Sequence, residues 1–319
     1  MITGADGFVG RYLVDALKGT YEVIGTTHSA RGALNKSRGI YYEFVEITDK
    51  KMVDALIHQH LPDVIVHLAA KTDDWFAEPY VMFATNLTGT LNLYESVLRQ
   101  KQRNGYDPKI LYISSSEVYG ATQHSKSIKE KNPFFPVHHY ATSKASADMA
   151  SFEYARSKKL NIVILRPFTH TGPRQRLGFF VPDMASQIAK LENKPGRVEL
   201  FAGELGAVRD YLDVRDVVEA YRLVIENNIP SGIALNVCSG RGVKIKEVLE
   251  SLLALSTKEI IVKLDQSRLR PSDAPLLVGD NSKLQELTGW RPSINLNDTL
   301  ERTLHYWRGV ETKEIKARE

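Results

Sequence analysis

Apolar positions come in dense runs along the first half of the chain. Five stretches, "YEVIGTT" (21–27), "YYEFVEI" (41–47), "DVIVHLAA" (63–70), "KILYISS" (109–115) and "LNIVILRPF" (160–168), are nearly continuous and rich in Val and Ile. Runs of that length predict strands buried on both faces. Between them the apolar residues recur at helical spacing, over 9–18, 49–60, 80–101 and 140–158. Strands alternating with helices predict an α/β fold built on a parallel, doubly wound sheet. After Phe168 the rhythm breaks at Gly172 and Pro173, a loop signal. The remainder mixes short helices ("VPDMASQIAKLEN", "KIKEVLESLLAL", "LNDTLERTLHYW") with short strands. It reads as a smaller second domain, interleaved with late returns to the first sheet such as 233–237. The charged end "ETKEIKARE" reads as a frayed tail.

Composition narrows the class without naming it. The chain has 319 residues, 43% hydrophobic and 25% charged, enough for a full core and about two domains. A net charge of +4 is spread along the chain rather than gathered in a basic stripe, which argues against nucleic acid as the main ligand. One cysteine, Cys238, allows no internal disulfide and no cysteine-cluster metal site. The histidines are scattered, and "HQH" and "HH" lack carboxylate or cysteine partners in the sequence, so no metal is expected. No run approaches the ~18 apolar residues of a membrane span, and no leader pattern is present. The expectation is a cytoplasmic protein with no membrane partner.

Candidate chemistry begins at the first glycines. "TGADGFVG" places Gly4, Gly7 and Gly10 in a GxxGxxG spacing around Phe8, at the head of the strand–helix series. Such a loop turns tightly and lets a pyrophosphate approach the backbone at a helix N-terminus. The motif starts so early that either the first strand is very short or residues precede Met1. The segment after the second strand, "TTHSARG", carries no acid to bind a ribose 2′-hydroxyl. With Arg31 beside it, NADP(H) is favoured and NAD(H) is the alternative. Leu68, Ala69 and Ala70 end the fourth strand with residues small enough for close approach to the cofactor. The expected division is 1–167 with 211–238 for a Rossmann, dinucleotide-binding domain, and 168–210 with 239–319 for a substrate domain.

Tyr140 and Lys144 stand in "YATSK", an i, i+4 pair on one helix face. An ammonium beside a phenol favours phenolate, so the tyrosine can exchange protons near neutral pH. Upstream, "YISSSEVYG" (112–120) ends an apolar strand in three serines and Glu117.

Taken in order, "TGADGFVG", "HLAA", "NLTGT", "ISSSEVYG", "YATSK" and "RPFTHTGPRQ" resemble an extended short-chain dehydrogenase/reductase acting on nucleotide sugars, across essentially the whole chain. The segments 207–221, 236–245 and 269–292 are similar to the GDP-6-deoxy-4-keto-D-mannose reductases, with the GDP-mannose 4,6-dehydratases as close cousins. The resemblance implies that Ser115 hydrogen-bonds the sugar C4 oxygen, that Tyr140 passes it a proton, and that Lys144 assists and holds the nicotinamide ribose. It places Asn86 and Pro167 on the cofactor side. It places Ser116, Thr169, Arg174, Arg209 and Arg270 on the substrate side, the arginines against a diphosphate. Two departures stand out: Thr169 replaces the family's usual Asn, and Glu46 replaces an Asp expected near the adenine. Glu117 occupies the position of the dehydratase glutamate, yet reductases also carry it, so it does not separate the two reactions. "RDYLDVRD" and "RPSDAP" read as reductase. Another nucleotide-sugar epimerase or reductase stays open. A non-catalytic cofactor-binding protein is disfavoured by a complete Ser115, Tyr140 and Lys144. The resemblance also implies a GDP-hexose substrate and a homodimer through helices 80–101 and 140–158, with Leu91, Tyr94, Met149 and Phe152 at the interface.

Overall fold

The computed structural model describes residues 1–29, 40–72, 78–120, 127–268 and 274–318, with side chains up to residue 313. Seven parallel strands form the main sheet in the order β10-β6-β5-β4-β1-β2-β3. They are β1 (Ile2–Thr3), β2 (Ile24–Thr27), β3 (Tyr41–Phe44), β4 (Val64–His67), β5 (Lys109–Ile113), β6 (Ile162–Pro167) and β10 (Ile233–Val237). The order reverses between β1 and β4, which opens a crevice at the carboxyl ends of the strands, where such sheets bind ligands.

The unbroken apolar runs follow from burial on both faces. Ile65, Ile110, Tyr112, Ile162 and Ile164 face one core with Val53, Leu56, Leu93 and Val97. Their alternates Val66, Leu111, Ile113, Val163 and Leu165 face another with Leu13, Val14, Val217 and Tyr221. The helices are α1 (Phe8–Leu17), α2 (Lys50–His60), α3 (Pro79–Phe83), α4 (Gly89–Asn104), α5 (His139–Ser157), α6 (Phe180–Glu192), α7 (Val214–Glu226), α8 (Ile245–Ala254), α9 (Ser282–Thr288) and α10 (Leu296–Arg318). A π turn, Ala84–Thr88, joins α3 to α4.

β7 (Thr169–Thr171), β9 (Val208–Asp213), β11 (Gly242–Lys244) and β13 (Leu276–Leu277) make a second sheet centred on β9. β8 (Val198–Ala202) and β12 (Ile260–Leu264) pair separately and share a third core with α6, α8 and α10. The late return at 233–237 is observed as β10, parallel to β6.

Three expectations change. β4 and β5 end earlier than their apolar runs, because 68–70 and 114–115 leave the sheet and form the crevice wall. The charged end is not a frayed tail but the last turns of α10, built from good helix formers. Tyr94 is not a surface residue: it is fully buried, and its hydroxyl shares a 2.7 Å hydrogen bond with Ser151 Oγ. Among the described residues no helix is long and apolar enough to cross a membrane.

Candidate active site

The crevice starts at the glycine turn. Gly4 has φ +66°, and a Cβ there would lie 3.0 Å from the backbone of Ala69. At Gly10 a Cβ would press to 2.8 Å from Ala5 Cα, so only glycine lets α1 pack this close to β1. Gly7 opens α1 with no side-chain cap, leaving first-turn N–H groups facing the crevice edge without intrahelical partners. That cradle fits a pyrophosphate. Asp6 Oδ2 accepts from Thr27 Oγ1 at 2.6 Å and so ties the turn to the end of β2, where a ribose-binding acid would otherwise stand. Glu46 is exposed and turns back on its own loop, accepting from Thr48 N and Oγ1. Arg31 lies outside the described residues, as does Arg270.

Behind the cradle runs a buried polar chain. Ala69 N donates to Thr3 Oγ1 at 3.1 Å, and Thr3 Oγ1 lies 2.8 Å from His67 Nδ1. His67 Nε2 lies 3.1 Å from Thr90 Oγ1, which itself donates to Asn86 O at 2.7 Å. Since the Thr90 proton goes to Asn86, His67 must carry its proton on Nε2 and accept from Thr3 at Nδ1. Burial, reinforced by the Lys144 ammonium, drops His67 to about 3 and keeps it neutral. Its role is to hold the β4 loop, with Leu68, Ala69 and Ala70, against the glycine turn.

The π turn aims Asn86 inward. Both of its amide N–H groups are used within the protein, on Lys71 O (3.1 Å) and Ser143 Oγ (2.9 Å), and its oxygen accepts from Lys71 N. Ser143 in turn donates to the Tyr140 carbonyl at 2.8 Å. Asn86 therefore clips the β4 loop to α5.

Ser115, Tyr140 and Lys144 converge on the carboxyl end of β5. Ser115 is extended and starts a 3₁₀ turn, Ser116–Tyr119, in which Ser115 Oγ accepts from Glu117 N at 3.2 Å and Ser116 is buried. Gly120 ends that turn at φ +55°, with the Phe135 carbonyl where a Cβ would be. Tyr140 sits half-buried in the first turn of α5. One turn on, Lys144 is buried, donates to the Ile113 carbonyl and lies 4.6 Å above the Tyr112 ring. Burial lowers its pKa to about 7, with Asp148 pulling the other way. Glu117, its side chain one-third exposed, lies 3.4 Å from His138 Nε2.

The opposite wall comes from the segment after β6. Pro167 ends β6 in register with Val237, and Thr169 opens β7 opposite Tyr211. The His170 ring stacks on Phe8 at 6.2 Å and 3°, and Tyr12 donates to the Pro173 carbonyl, so this wall is fastened to α1. Burial lowers the His170 pKa. Arg209 is half-buried on β9 and donates to Ala274 O at 2.7 Å, whereas Arg174 is an exposed loop residue at φ +69°.

Four features escaped sequence reading. His138 and Ser143 brace α5, and both stand within three residues of Tyr140. His67 is locked by Thr3 and Thr90. Asp148 and Arg166 form a buried bidentate pair at 2.9 Å below Lys144. Only the i, i+4 spacing of Asp148 from Lys144 signals the last of these.

Known proteins share this architecture. A family model described as GDP-mannose 4,6 dehydratase matches residues 1–303. The GDP-6-deoxy-D-mannose reductase of Pseudomonas aeruginosa is 30% identical over 318 residues, covering 98% of each chain. The GDP-6-deoxy-D-talose 4-dehydrogenase of Aggregatibacter actinomycetemcomitans is 30% identical, covering 91% of this chain and 90% of its own. The solved structure of RMD from Pseudomonas aeruginosa, complexed with NADPH, superposes with a TM-score of 0.81 at 28% identity, over 97% of this chain and 98% of that one. The resemblance read from the motifs holds at full length: the chain belongs to the GDP-mannose 4,6 dehydratase family, whose relatives here are nucleotide-sugar oxidoreductases.

Proposed function

We propose that the protein reduces the 4-keto group of GDP-4-keto-6-deoxy-D-mannose to GDP-D-rhamnose in the cytoplasm, using NADP(H) with NAD(H) as the alternative. The observation that carries this reading is the end-to-end likeness to a GDP-6-deoxy-D-mannose reductase. The tight glycine turn, the uncapped α1 terminus and the absence of an acid at Thr27 support the cofactor assignment. When bound, the cofactor supplies the hydride. Ser115 donates a hydrogen bond to the sugar C4 oxygen, and Tyr140 delivers the proton to it. The Lys144 ammonium, held over β5 by the Ile113 carbonyl, lowers the cost of the phenolate that results. Gly4, Gly7, Phe8, Gly10 and Leu68–Ala70 line the cofactor side in this reading, with Thr169, Arg174 and Arg209 toward the nucleotide sugar. The main sheet with α7 serves as the cofactor domain, and the second and third cores as the substrate domain. A homodimer through α3–α4 and α5 is supported by exposed Tyr80 (84%), Val81 (48%) and Met149 (64%) on those helices.

A 4,6-dehydratase is the second reading, favoured by Glu117, whose partly exposed carboxylate lies beside His138 where a base for the sugar C5 proton would stand. Two incubations separate them. The reductase consumes NADPH with the 4-keto-6-deoxy sugar and leaves GDP-mannose untouched. Turnover of GDP-mannose with NADP and no net cofactor change would sink it. The configuration at C4 of the product, read by NMR, distinguishes rhamnose from its talose epimer. Tyr140→Phe should abolish turnover and leave cofactor binding in place.

A further inference from the structure

We propose that His138 is a positioning residue that sets the spacing of Ser115 and Tyr140 by clamping the Glu117 turn to the N-terminus of α5. His138 is the residue that caps α5: its Nδ1 accepts the Ala141 N–H at 3.2 Å. A ring nitrogen that accepts carries no proton, so the proton of the neutral imidazole is on Nε2. That nitrogen faces Glu117 Oε2 at 3.4 Å, a donor toward a carboxylate. Glu117 N–H in turn donates to Ser115 Oγ at 3.2 Å. The His138 ring also lies nearly parallel to the Tyr140 ring, with centroids 6.1 Å apart and 9° between planes. Ser115, Glu117, His138 and the first turn of α5 thus form one brace, with a reacting hydroxyl at each end.

A cap alone does not need histidine. Ser, Thr, Asn and Asp satisfy a helix N-terminus with one short side chain. Imidazole differs in offering a second nitrogen on the far side of the ring, and here that nitrogen meets the carboxylate two residues from Ser115. That contact ties the Glu117 side chain to the N-terminus of α5. Glu117 acts through this brace rather than on substrate, which accounts for a dehydratase-like glutamate in a reductase.

The kinetic arm of the test rests on the reductase reading; the spectroscopic arm does not. His138→Asn keeps an acceptor for Ala141 N–H and loses the reach to Glu117. It should fold normally and lower kcat about 10-fold, with KM for the keto sugar nearly unchanged. In a Glu117→Ala background, which removes the oxygen that His138 Nε2–H meets, the same substitution should cost less than about two-fold, because the brace is already cut. Wild-type kcat in His138→Asn would mean that the residue only caps, and would overturn the proposal. So would full additivity of the two substitutions. Independently, ¹⁵N shifts of the His138 side chain in the wild-type protein should show the Nε2–H tautomer and should move on Glu117→Ala. An Nδ1–H tautomer, or no response to Glu117→Ala, overturns the brace whatever sugar the enzyme takes. Failure of the wild type to turn over the keto sugar counts against the reductase reading alone, and the tautomer then decides the brace.

Discussion

Lys144 and Arg166 are both buried, both cationic and both close to Asp148, yet the protein leaves them in opposite electrostatic states. Arg166 holds Asp148 through two 2.9 Å bonds, donates to Tyr119 Oη and to Glu130 O, and its pKa is raised despite the burial that opposes it. Tyr119 Oη–H donates to Asn236 Oδ1 at 2.7 Å, so that cluster is closed. Lys144, one helical turn from Asp148, meets a backbone carbonyl and an aromatic face instead of a carboxylate, and burial brings it down to about 7. A fully satisfied polar cluster is structure, whereas a cation left without a counter-charge can change state during a reaction.

Lys144→Met should cost on the order of 10³-fold in kcat/KM with the fold intact, checked by NADPH consumption beside a thermal melt. If activity survives, the lysine is only a packing residue. Arg166→Met should do the reverse. It strands Asp148 in the core and should cost about 3–5 kcal/mol of stability, measured by urea unfolding, with kcat per folded molecule little changed. Acidity sharpens the contrast further. The ammonium of Lys144 is present below about 7 and lost above it, so kcat/KM should fall as pH rises through that value. Stability moves the other way. Between about 7 and the ordinary 10.5 the unfolded chain holds a proton that the native lysine lacks, so unfolding free energy should rise with pH across that window. Lys144→Met should flatten both slopes. The smallest effect belongs to Lys109, whose ammonium caps the end of α7 through Val224 O, Ile225 O and Asn227 O. Lys109→Ala should cost about 1 kcal/mol in the same urea titration and leave kcat unchanged, marking a lysine whose work is purely structural.

How much of this was legible in the sequence depended on the distance over which each feature is written. The strands were readable because burial on both faces leaves unbroken apolar runs such as "VIV" and "IVIL". Ser115, Tyr140 and Lys144 were readable because one strand end and one helical turn bring them to the same edge. The strand ends were overshot because Leu68–Ala70 and Ser114–Ser115 are apolar or small enough to pass for strand while forming crevice wall. Tyr94 was misplaced because a tyrosine counts as surface until its hydroxyl finds a partner, here Ser151 on α5. The Asp148–Arg166 pair spans 18 residues and two element types, so the i, i+4 spacing of Asp148 from Lys144 hints at the acid and nothing local at its arginine. His138 was hidden for a different reason: its cap, its tautomer and its carboxylate exist only once α5 and the Ser116–Tyr119 turn are side by side.

The π turn at Ala84–Thr88 carries one last consequence. An α-helix advances about 100° per residue, and a π turn absorbs a residue that a regular helix would have no place for. The segment from Pro79 to Asn104 is therefore two helices out of phase, and Asn86 sits at the seam. Deleting a single residue there would let the helix run through as regular α. Everything on one side would rotate by roughly a quarter-turn, carrying Asn86 away from Lys71 and Ser143 while the hydrophobic composition stayed the same. Length, as much as Asn86 itself, is what this stretch cannot trade away: a lost residue anywhere in 84–88 would unfasten the β4 loop from the helix that bears Tyr140, even with Asn86 retained.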